Sequence, residues 1–374
     1  MSAIEEIVPL IPEGLPLGLR NYWYPVLQTE QLIQGKPIGL VALGEKLAVW
    51  RDQNGAPQVV KDRCPHRSFP LSAGRVLDGE LQCLMHGLRF NGEGRCTLIP
   101  WEQEHTRHHD QLQIPAYPAR ELGGYIWAYL GDTEAFPPPP LESQLPEELF
   151  KPDAFICFRL ETSIWDANWL LAIDGSDGFH AVVLHTDSQA VHRAELKPGS
   201  REVPLEDRRM KIIKTSHGVR AVSINPDGAK INHGHVLGEV KGQRFNLPCL
   251  TTNPIVAAPN AAPYASRLWQ FPQDDKHTIV QRYLCWRASN EQERAEATRL
   301  FNEVALPRLK QVNEEDAFAA AALGDLIEAR RQEYLLGPDE DVVKVRRLLR
   351  TAFVTQALER QRIDNPAGAL AYPV

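Results

Sequence analysis

Four residues with metal-binding side chains occur in two short segments of the chain. Cys64 and His66 form the first pair, and Cys83 and His86 form the second, with sixteen residues between the pairs. Two thiolates and two imidazoles fit a zinc ion, or a [2Fe–2S] cluster in which one iron keeps the thiolates and the other takes the imidazoles. Each pair places Cys before His, whereas a zinc finger has both Cys in one pair and both His in the other. This order favours the cluster, with each loop giving one ligand to each iron.

A second group of candidate metal ligands follows in the middle of the chain, where Asp177, His180 and His185 occur within nine residues. On a regular helix Asp177 and His180 are about 60° apart, but His180 and His185 are about 140° apart. A straight helix therefore cannot direct both imidazoles to one ion. Gly175 and Gly178 offer places for the chain to bend, so we expect a distorted or broken helix here.

Two imidazoles and one carboxylate on one face of an iron leave positions open for oxygen, which is the facial triad of non-heme Fe(II) oxygenases. The best candidate for the third ligand is Asp316, and Glu314 and Glu315 are competing choices. This acidic run follows one predicted helix and precedes another, so its alternative role is to cap and solvate a helix N-terminus.

The elements that must position these residues fall into two regions. Residues 21–132 contain short β-rich runs such as 39–43, 46–50 and 124–130, separated by turn sequences, and predict a small antiparallel β domain. The run Phe136-Pro137-Pro138-Pro139-Pro140 favours an extended linker. We therefore predict a first domain over 20–132, a linker over 133–147 and a second domain over 148–374.

The second domain has the pattern of an α+β fold. We predict helices over 165–173, 291–312, 317–323 and 341–362, and β-like runs near 211–224 and 277–286.

Composition excludes several classes of protein. The formal net charge of −7 over 374 residues disfavours nucleic-acid binding. No apolar stretch approaches the ~18 residues of a membrane span, and the N-terminus lacks the pattern of a secretory signal. Cys96, Cys157, Cys249 and Cys285 are widely spread and predict small buried residues. A cytoplasmic location is expected.

The residues around the first two pairs resemble the cluster-binding loops of Rieske proteins, because Cys64-Pro65-His66-Arg67 is followed by Pro70-Leu71-Ser72-Ala73-Gly74 and His86 by Gly87. Ser68-Phe69 replaces the usual Gly-Ala step, and Leu88 stands where Trp is common. The whole chain resembles the α subunit of Rieske non-heme iron aromatic-ring-hydroxylating oxygenases. Residues 174–188 are most similar to the carbazole and oxoquinoline branch.

The resemblance implies an all-β Rieske domain followed by a helix-grip catalytic domain, in which helices cover an antiparallel sheet. It implies a [2Fe–2S] cluster on Cys64, Cys83, His66 and His86, and a mononuclear Fe(II) on His180, His185 and Asp316. Asp177 would be a bridging residue that hydrogen-bonds His180 and the partner subunit's cluster ligand in a head-to-tail homotrimer.

The function implied is that of a terminal oxygenase, which uses O2 and electrons to hydroxylate an aromatic or heteroaromatic molecule. Oxidative N- or O-demethylation of a substrate such as an N-methylated compound is an alternative outcome. An electron-transfer Rieske protein without oxygenation is the alternative from another class. The sequence has no dinucleotide-binding fingerprint, so the electrons would come from a ferredoxin or an NAD(P)H-dependent reductase on another chain.

Two further groups of residues have no assigned chemistry. Lys344, Arg346, Arg347 and Arg350 are interpreted as a solvated helix face rather than a docking site for an acidic donor. His105, His108, His109, His233 and His235 are interpreted as loop histidines.

Overall fold

The computed structural model describes residues 17–102, 104–175, 180, 184–185, 209–215, 218–224, 230–231, 244–255, 264–336 and 339–364. These residues form two units. One contains the described residues up to 150 together with 272–274 and 359–364, and the other contains those of 151–271 and 275–358. Within the described ranges, no helix is both long and apolar enough to cross a membrane.

The first unit is built from short antiparallel strands in three sheets, with orders β1-β11-β10, β2-β3-β4-β9 and β5-β6-β7-β8. The strands are β1 Trp23–Gln28, β2 Ile38–Ala42, β3 Glu45–Arg51, β4 Pro57–Lys61, β5 Arg75–Leu77, β6 Glu80–Gln82, β7 Arg89–Phe90, β8 Cys96–Leu98, β9 Ala116–Tyr117, β10 Ala119–Leu122 and β11 Tyr125–Tyr129, and one short helix, α1, spans Arg107–Gln111. The predicted runs 39–43, 46–50 and 124–130 coincide with β2, β3 and β11.

Three hairpins of this unit have turns in which both central residues adopt positive φ. Leu43 and Gly44 (φ 51° and 73°) connect β2 to β3, Asp78 and Gly79 (φ 54° and 81°) connect β5 to β6, and Gly123 and Gly124 (φ 59° and 78°) connect β10 to β11. Such turns match the right-handed twist of the paired strands, so they set the register of each hairpin. The core beside the cluster-binding loops consists of apolar side chains such as Trp50, Leu81 and Phe90, all fully buried.

The proline run belongs structurally with the first unit. Trp23 Nε1 donates to the Pro139 carbonyl and the Tyr129 hydroxyl donates to the Phe136 carbonyl, both at 2.9 Å. These bonds use carbonyl oxygens, which a proline segment still offers although it lacks N–H donors. The structural division falls after residue 150. The domain limits at 132 and 147 stay predictions.

The second unit contains an antiparallel sheet of six strands in the order β12-β20-β19-β18-β17, with β13 also paired to β20, and a separate sheet β14-β15-β16. The strands are β12 Phe155–Arg159, β13 Ser163–Trp165, β14 Arg209–Thr215, β15 Gly218–Ile224, β16 Lys230–Ile231, β17 Arg244–Asn246, β18 Leu250–Ile255, β19 Tyr264–Pro272 and β20 Thr278–Arg287. The predicted β runs 211–224 and 277–286 match β14 with β15 and β20.

Helices pack on one face of the larger sheet, where Leu284 and Trp286 of β20 contact Leu300, Phe301 and Leu309. The helices are α2 Trp169–Asp174, α3 Glu291–Leu300, α4 Leu306–Ala322, α5 Leu326–Gln332 and α6 Glu340–Asp364, with a π-helical segment Phe301–Ala305 between α3 and α4. The combination of an antiparallel sheet with helices confirms the predicted α+β class.

Two predicted helix limits are wrong. Of the helix predicted over 165–173, Trp165 ends strand β13 and helix α2 begins only at Trp169, because the Asn168 side chain caps α2 by accepting from the Leu170 amide at 3.0 Å. The helices predicted to end at 312 and to begin again at 317 are one helix, α4. No Gly or Pro lies between Pro307 and Gly324, so the acidic run continues the helix instead of capping a new one.

Candidate metal centres

The two cluster-binding loops have the same backbone structure. In the first, the Ser68 amide donates to the Cys64 carbonyl at 2.8 Å and the Cys64 amide donates to the Phe69 carbonyl at 2.9 Å. In the second, Gly87, Cys83 and Leu88 repeat both bonds at 2.9 Å. Each loop therefore closes on its own cysteine, and the residue after its histidine-containing turn takes positive φ. That residue is Gly87 (79°) in one loop and Ser68 (58°) in the other.

Ser68 occupies a loop position where glycine is expected, and the fold accommodates this serine. An L residue in the left-handed region costs roughly 1–2 kcal/mol more than one in the ordinary helical region. The conformation is kept by the two loop hydrogen bonds and by Arg63 Nη1, which donates to the Ser68 carbonyl at 2.8 Å. The replacement therefore leaves the backbone path of the loop intact.

The four candidate cluster ligands lie at the ends of these loops. Cys64 and Cys83 are 2% and 1% exposed, and they lie close enough for their thiols to hydrogen-bond each other. The imidazole rings of His66 and His86 are 4.6 Å apart, and His66 is exposed. Burial raises the pKa of the Cys64 thiol to about 11, so this thiol stays protonated at neutral pH unless a metal replaces the proton. Buried sulfur and outer nitrogen suit a cluster with one protected iron and one iron near the surface.

The second unit brings together His180, His185 and Asp316. Asp316 Oδ1 lies 3.2 Å from His180 Nε2 and 3.1 Å from His185 Nε2. The three candidate ligand atoms lie within 4.8 Å of one another. Ligands about 2.1 Å from an ion at right angles would be about 3 Å apart, so these separations fit one metal ion. The break is predicted at Gly175 and Gly178: helix α2 ends at Asp174 with Gly175 as its C-cap, and Gly178 lies outside the described residues.

The three acidic residues 314–316 on α4 lie in three different environments. Asp316 faces both histidines, while Glu314 is exposed. Glu315 Oε2 lies 2.6 Å from His185 Nδ1, the ring nitrogen that does not face Asp316. A carboxylate on that nitrogen fixes the tautomer and orientation of the ring and raises its basicity. Glu315 is thus placed to support His185, a role that its position in the sequence did not indicate.

Asp316 has a further neighbour on β20. Arg282 Nη2 lies 3.9 Å from Asp316 Oδ2, so Oδ1 faces the histidines while Oδ2 faces a cation. Burial raises the pKa of Asp316, but hydrogen bonds from His180 and His185, together with the charge of Arg282, lower it to well below its usual range. Asp316 therefore offers an ionised oxygen to a metal. In the sequence, Arg282 could have been recognised as a candidate site residue because it places a charge within β20, a strand of mostly buried residues.

The end of α2 is held by a buried ionic cluster. Arg346 donates to Asp174 Oδ1 at 3.1 Å and to Oδ2 at 2.8 Å, and Arg330 donates to Oδ2 at 2.5 Å. Arg346 also donates to Glu333 at 2.6 Å. Arg346 is only 6% exposed, so the prediction of a solvated face is wrong at this position. The cluster anchors Asp174, three residues before Asp177. Asp177 itself lies outside the described residues.

Among the histidines that the structure describes, the others show no comparable convergence. His108 and His109 lie in helix α1 rather than in a loop, and His108 Nδ1 is 2.7 Å from Glu102 Oε1. His109 is buried and its Nδ1 lies 3.2 Å from the Thr106 amide, which it caps. His233 and His235 lie outside the described residues.

Comparison with known proteins adds family evidence. The sequence profile of the Rieske [2Fe-2S] domain matches residues 22–118, and the profile of the homotrimeric ring hydroxylase matches residues 129–354. The 3-chlorobenzoate-3,4-dioxygenase oxygenase subunit of Comamonas testosteroni is 36% identical over 181 residues, which is 47% of this chain and 40% of that protein. The phthalate 4,5-dioxygenase oxygenase subunit of Pseudomonas putida is 26% identical over 285 residues, or 72% of this chain and 61% of that protein. The matched part thus covers less than two thirds of either relative.

Among solved structures, the oxygenase in the reduced complex between oxygenase and ferredoxin of carbazole 1,9a-dioxygenase has a similar fold. Its TM-score is 0.65 at 24% sequence identity, with 89% of each chain covered. This similarity supports the fold of both units, including the helix-covered antiparallel sheet.

Proposed function

Because this chain belongs to the homotrimeric ring hydroxylase family and carries a Rieske [2Fe–2S] domain, we propose that it is the terminal oxygenase of a multicomponent system that hydroxylates an aromatic or heteroaromatic small molecule. Its cofactors are the Rieske cluster and a mononuclear iron. The observation that carries the proposal is the convergence of His180, His185 and Asp316 on one point. An electron-transfer Rieske protein would have no use for this second site.

In this proposal Cys64 and Cys83 hold one cluster iron, and His66 and His86 hold the other. His180, His185 and Asp316 hold the mononuclear iron through two Nε2 atoms and Oδ1. When bound, the cluster supplies single electrons and the mononuclear iron supplies the activation of O2 for insertion into substrate.

The protein's own contribution is to orient these ligands. Glu315 accepts a hydrogen bond from Nδ1 of His185, which leaves Nε2 as the ring atom that would bind the metal. Arg282 attracts Oδ2 of Asp316 away from the histidines, which favours ligation through one oxygen. In each contact one partner is shielded from water, since His185 is 3% and Arg282 is 6% exposed, so breaking the contact would leave a poorly solvated polar group without its partner.

Three finer assignments belong to the same proposal. Asp177 bridges His180 to the cluster ligand of a neighbouring subunit, which requires the homotrimer that the family name describes. The electron donor is a ferredoxin or a reductase, and the solved complex of a carbazole dioxygenase oxygenase with ferredoxin supports the former. The substrate is an aromatic compound, since two relatives act, by their names, on chlorobenzoate and phthalate.

The test is a metal and turnover analysis of anaerobically purified protein. We expect about three irons and two acid-labile sulfides per chain, and O2 uptake that depends on substrate in a panel of aromatic carboxylates, heteroaromatics and N-methylated compounds supplied with a ferredoxin and reductase. Product analysis separates hydroxylation from demethylation. A protein with two irons that exchanges electrons with the donor but consumes no O2 with any compound would contradict the oxygenase proposal.

A further inference from the structure

Two cysteines outside both metal centres face each other across strands β12 and β20. Cys157 pairs directly with Cys285 in the antiparallel register. The Leu160 amide donates to the Arg282 carbonyl at 3.0 Å, and the Ala288 amide donates to the Ala154 carbonyl at 2.9 Å. Because hydrogen-bonded and non-hydrogen-bonded pairs alternate along such a ladder, Cys157 and Cys285 form a non-hydrogen-bonded pair.

This type of pair brings side chains closest together. The Cα atoms of a non-hydrogen-bonded pair are about 4.5 Å apart, inside the range of about 4.4–6.8 Å over which a disulfide can form. The two Sγ atoms are 2.7 Å apart, so both side chains already point at each other. Bond formation therefore needs no movement of either strand.

The position of the pair allows an oxidant to reach it. β12 is the end strand of the sheet order, and Cys157 is partly exposed, whereas Cys285 is 3% exposed. Cys157 of β12 and Cys285 of β20 lie on one face of the sheet. Leu284 and Trp286 lie on the opposite face, which packs against the helices. An attacking molecule can therefore meet Cys157 first and Cys285 as the neighbouring thiol.

We propose that Cys157 and Cys285 are a modification site, a dithiol that hydrogen peroxide converts to a disulfide. The Cys157 thiolate attacks one peroxide oxygen, the O–O bond breaks, and with one proton the products are a sulfenic acid and water. The Cys285 sulfur then attacks the Cys157 sulfur, the S–O bond breaks, and the departing hydroxide leaves as water with the proton of Cys285. Two thiols are oxidised by two electrons, and one peroxide is reduced to two waters.

In the described parts of the chain, two cysteines remain besides this pair and the candidate cluster ligands, and neither is paired with a second cysteine across a strand. Cys96 pairs with Phe90 on the neighbouring strand. Cys249 is 1% exposed, and burial raises the pKa of its thiol well above the ordinary value. These two residues provide matched controls.

The experiment treats the intact holoenzyme with a small excess of hydrogen peroxide, blocks remaining thiols and maps the tryptic peptides without reduction. We expect residues 283–287, released by cleavage after Arg282 and Arg287, to be linked to the peptide ending at Arg159, with the loss of two hydrogen masses. Reduction with a dithiol should release both peptides. The cross-link should raise the midpoint of thermal unfolding by several degrees, because it closes a long loop.

Variants distinguish this result from general oxidation. Cys157→Ser and Cys285→Ser should each abolish the link and the stabilisation, while Cys96→Ser and Cys249→Ser should keep both. Two results would overturn the proposal: Cys157 oxidised to sulfinic acid without a link to residues 283–287, or both thiols unmodified while the cluster cysteines react. The readout is independent of turnover, so it does not depend on the oxygenase proposal.

Discussion

The two candidate metal centres are built in opposite ways. The candidate cluster ligands lie between residues 64 and 86, on two loops that each close through their own backbone hydrogen bonds. The candidate mononuclear ligands lie between residues 180 and 316, and their convergence needs helix α4 and the segment after α2 to be placed together. The first centre is formed by one type of local loop structure that occurs twice. The second centre forms only when distant parts of the domain fold together.

This difference has a consequence for how each centre is supported. The loops need little besides their own bonds and the core beneath them, which includes Leu81 and Phe90. The triad instead depends on long-range contacts such as that between Asn313 and Ser163, whose side chains hydrogen-bond at 3.0 Å and fix α4 against β13. Damage to one centre should therefore leave the other able to bind metal.

The largest expected effect is that of Asp316→Ala. Removing the carboxylate leaves two imidazoles, so the iron content should fall from about three to about two per chain and turnover should fall by on the order of a thousandfold or more. The cluster absorption should be unchanged. Glu314→Gln is the matched control, because Glu314 is an exposed neighbour on the same helix, and it should keep about three irons per chain and full activity. Retention of three irons by Asp316→Ala would exclude Asp316 as the ligand.

Cys64→Ala tests the other side of the comparison. The variant should lose the cluster and its visible absorption, and with it turnover that depends on a donor protein. Titration with Co(II) should still fill the mononuclear site with an affinity within about threefold of the parent protein. If the variant also loses the Co(II) site, the two centres are not structurally independent.

Glu315→Gln should have a smaller effect on the triad. The amide can still accept a hydrogen bond from His185 Nδ1, but it carries no charge, so we expect iron affinity to fall by about 10–100-fold. The measurement is a competition titration of ferrous ion against a chelator, with Glu314→Gln in parallel. An affinity equal to that of the control would show that the contact of Glu315 with His185 has no effect on metal binding.

Ser68→Gly should give the smallest effect, and in the opposite direction. Glycine relieves the positive φ of 58°, but it adds conformational freedom to the unfolded chain, so the net gain in the free energy of unfolding should be about 0.5–1 kcal/mol. Thermal unfolding and the rate of cluster loss in urea would measure it. Ser68→Ala keeps the Cβ atom and should bring no gain. Equal stability of the two variants would mean that Ser68 is not strained.

Much of the fold was predictable because its elements carry local patterns. The strands β2, β3 and β11, the β runs of the second unit and the final helix all follow from short-range hydrophobic periodicity and turn residues. The error at 313–316 lies where tertiary contacts fix the role of the residues. The run at 313–316 has the composition of a helix start, but Asn313 and Asp316 contact Ser163 and the two histidines, so the helix passes through it.

The sequence by itself determined the α+β class and the candidate ligands of the cluster and of the triad, because spacing within a loop and residue chemistry are local properties. Only the tertiary structure decided which acidic residue faces His180 and His185, that Glu315 supports His185 from its other nitrogen, and that Arg346 is buried against Asp174. The physical reason is that these contacts join residues more than a hundred positions apart. Their geometry depends on how helices and strands pack, which no local pattern specifies.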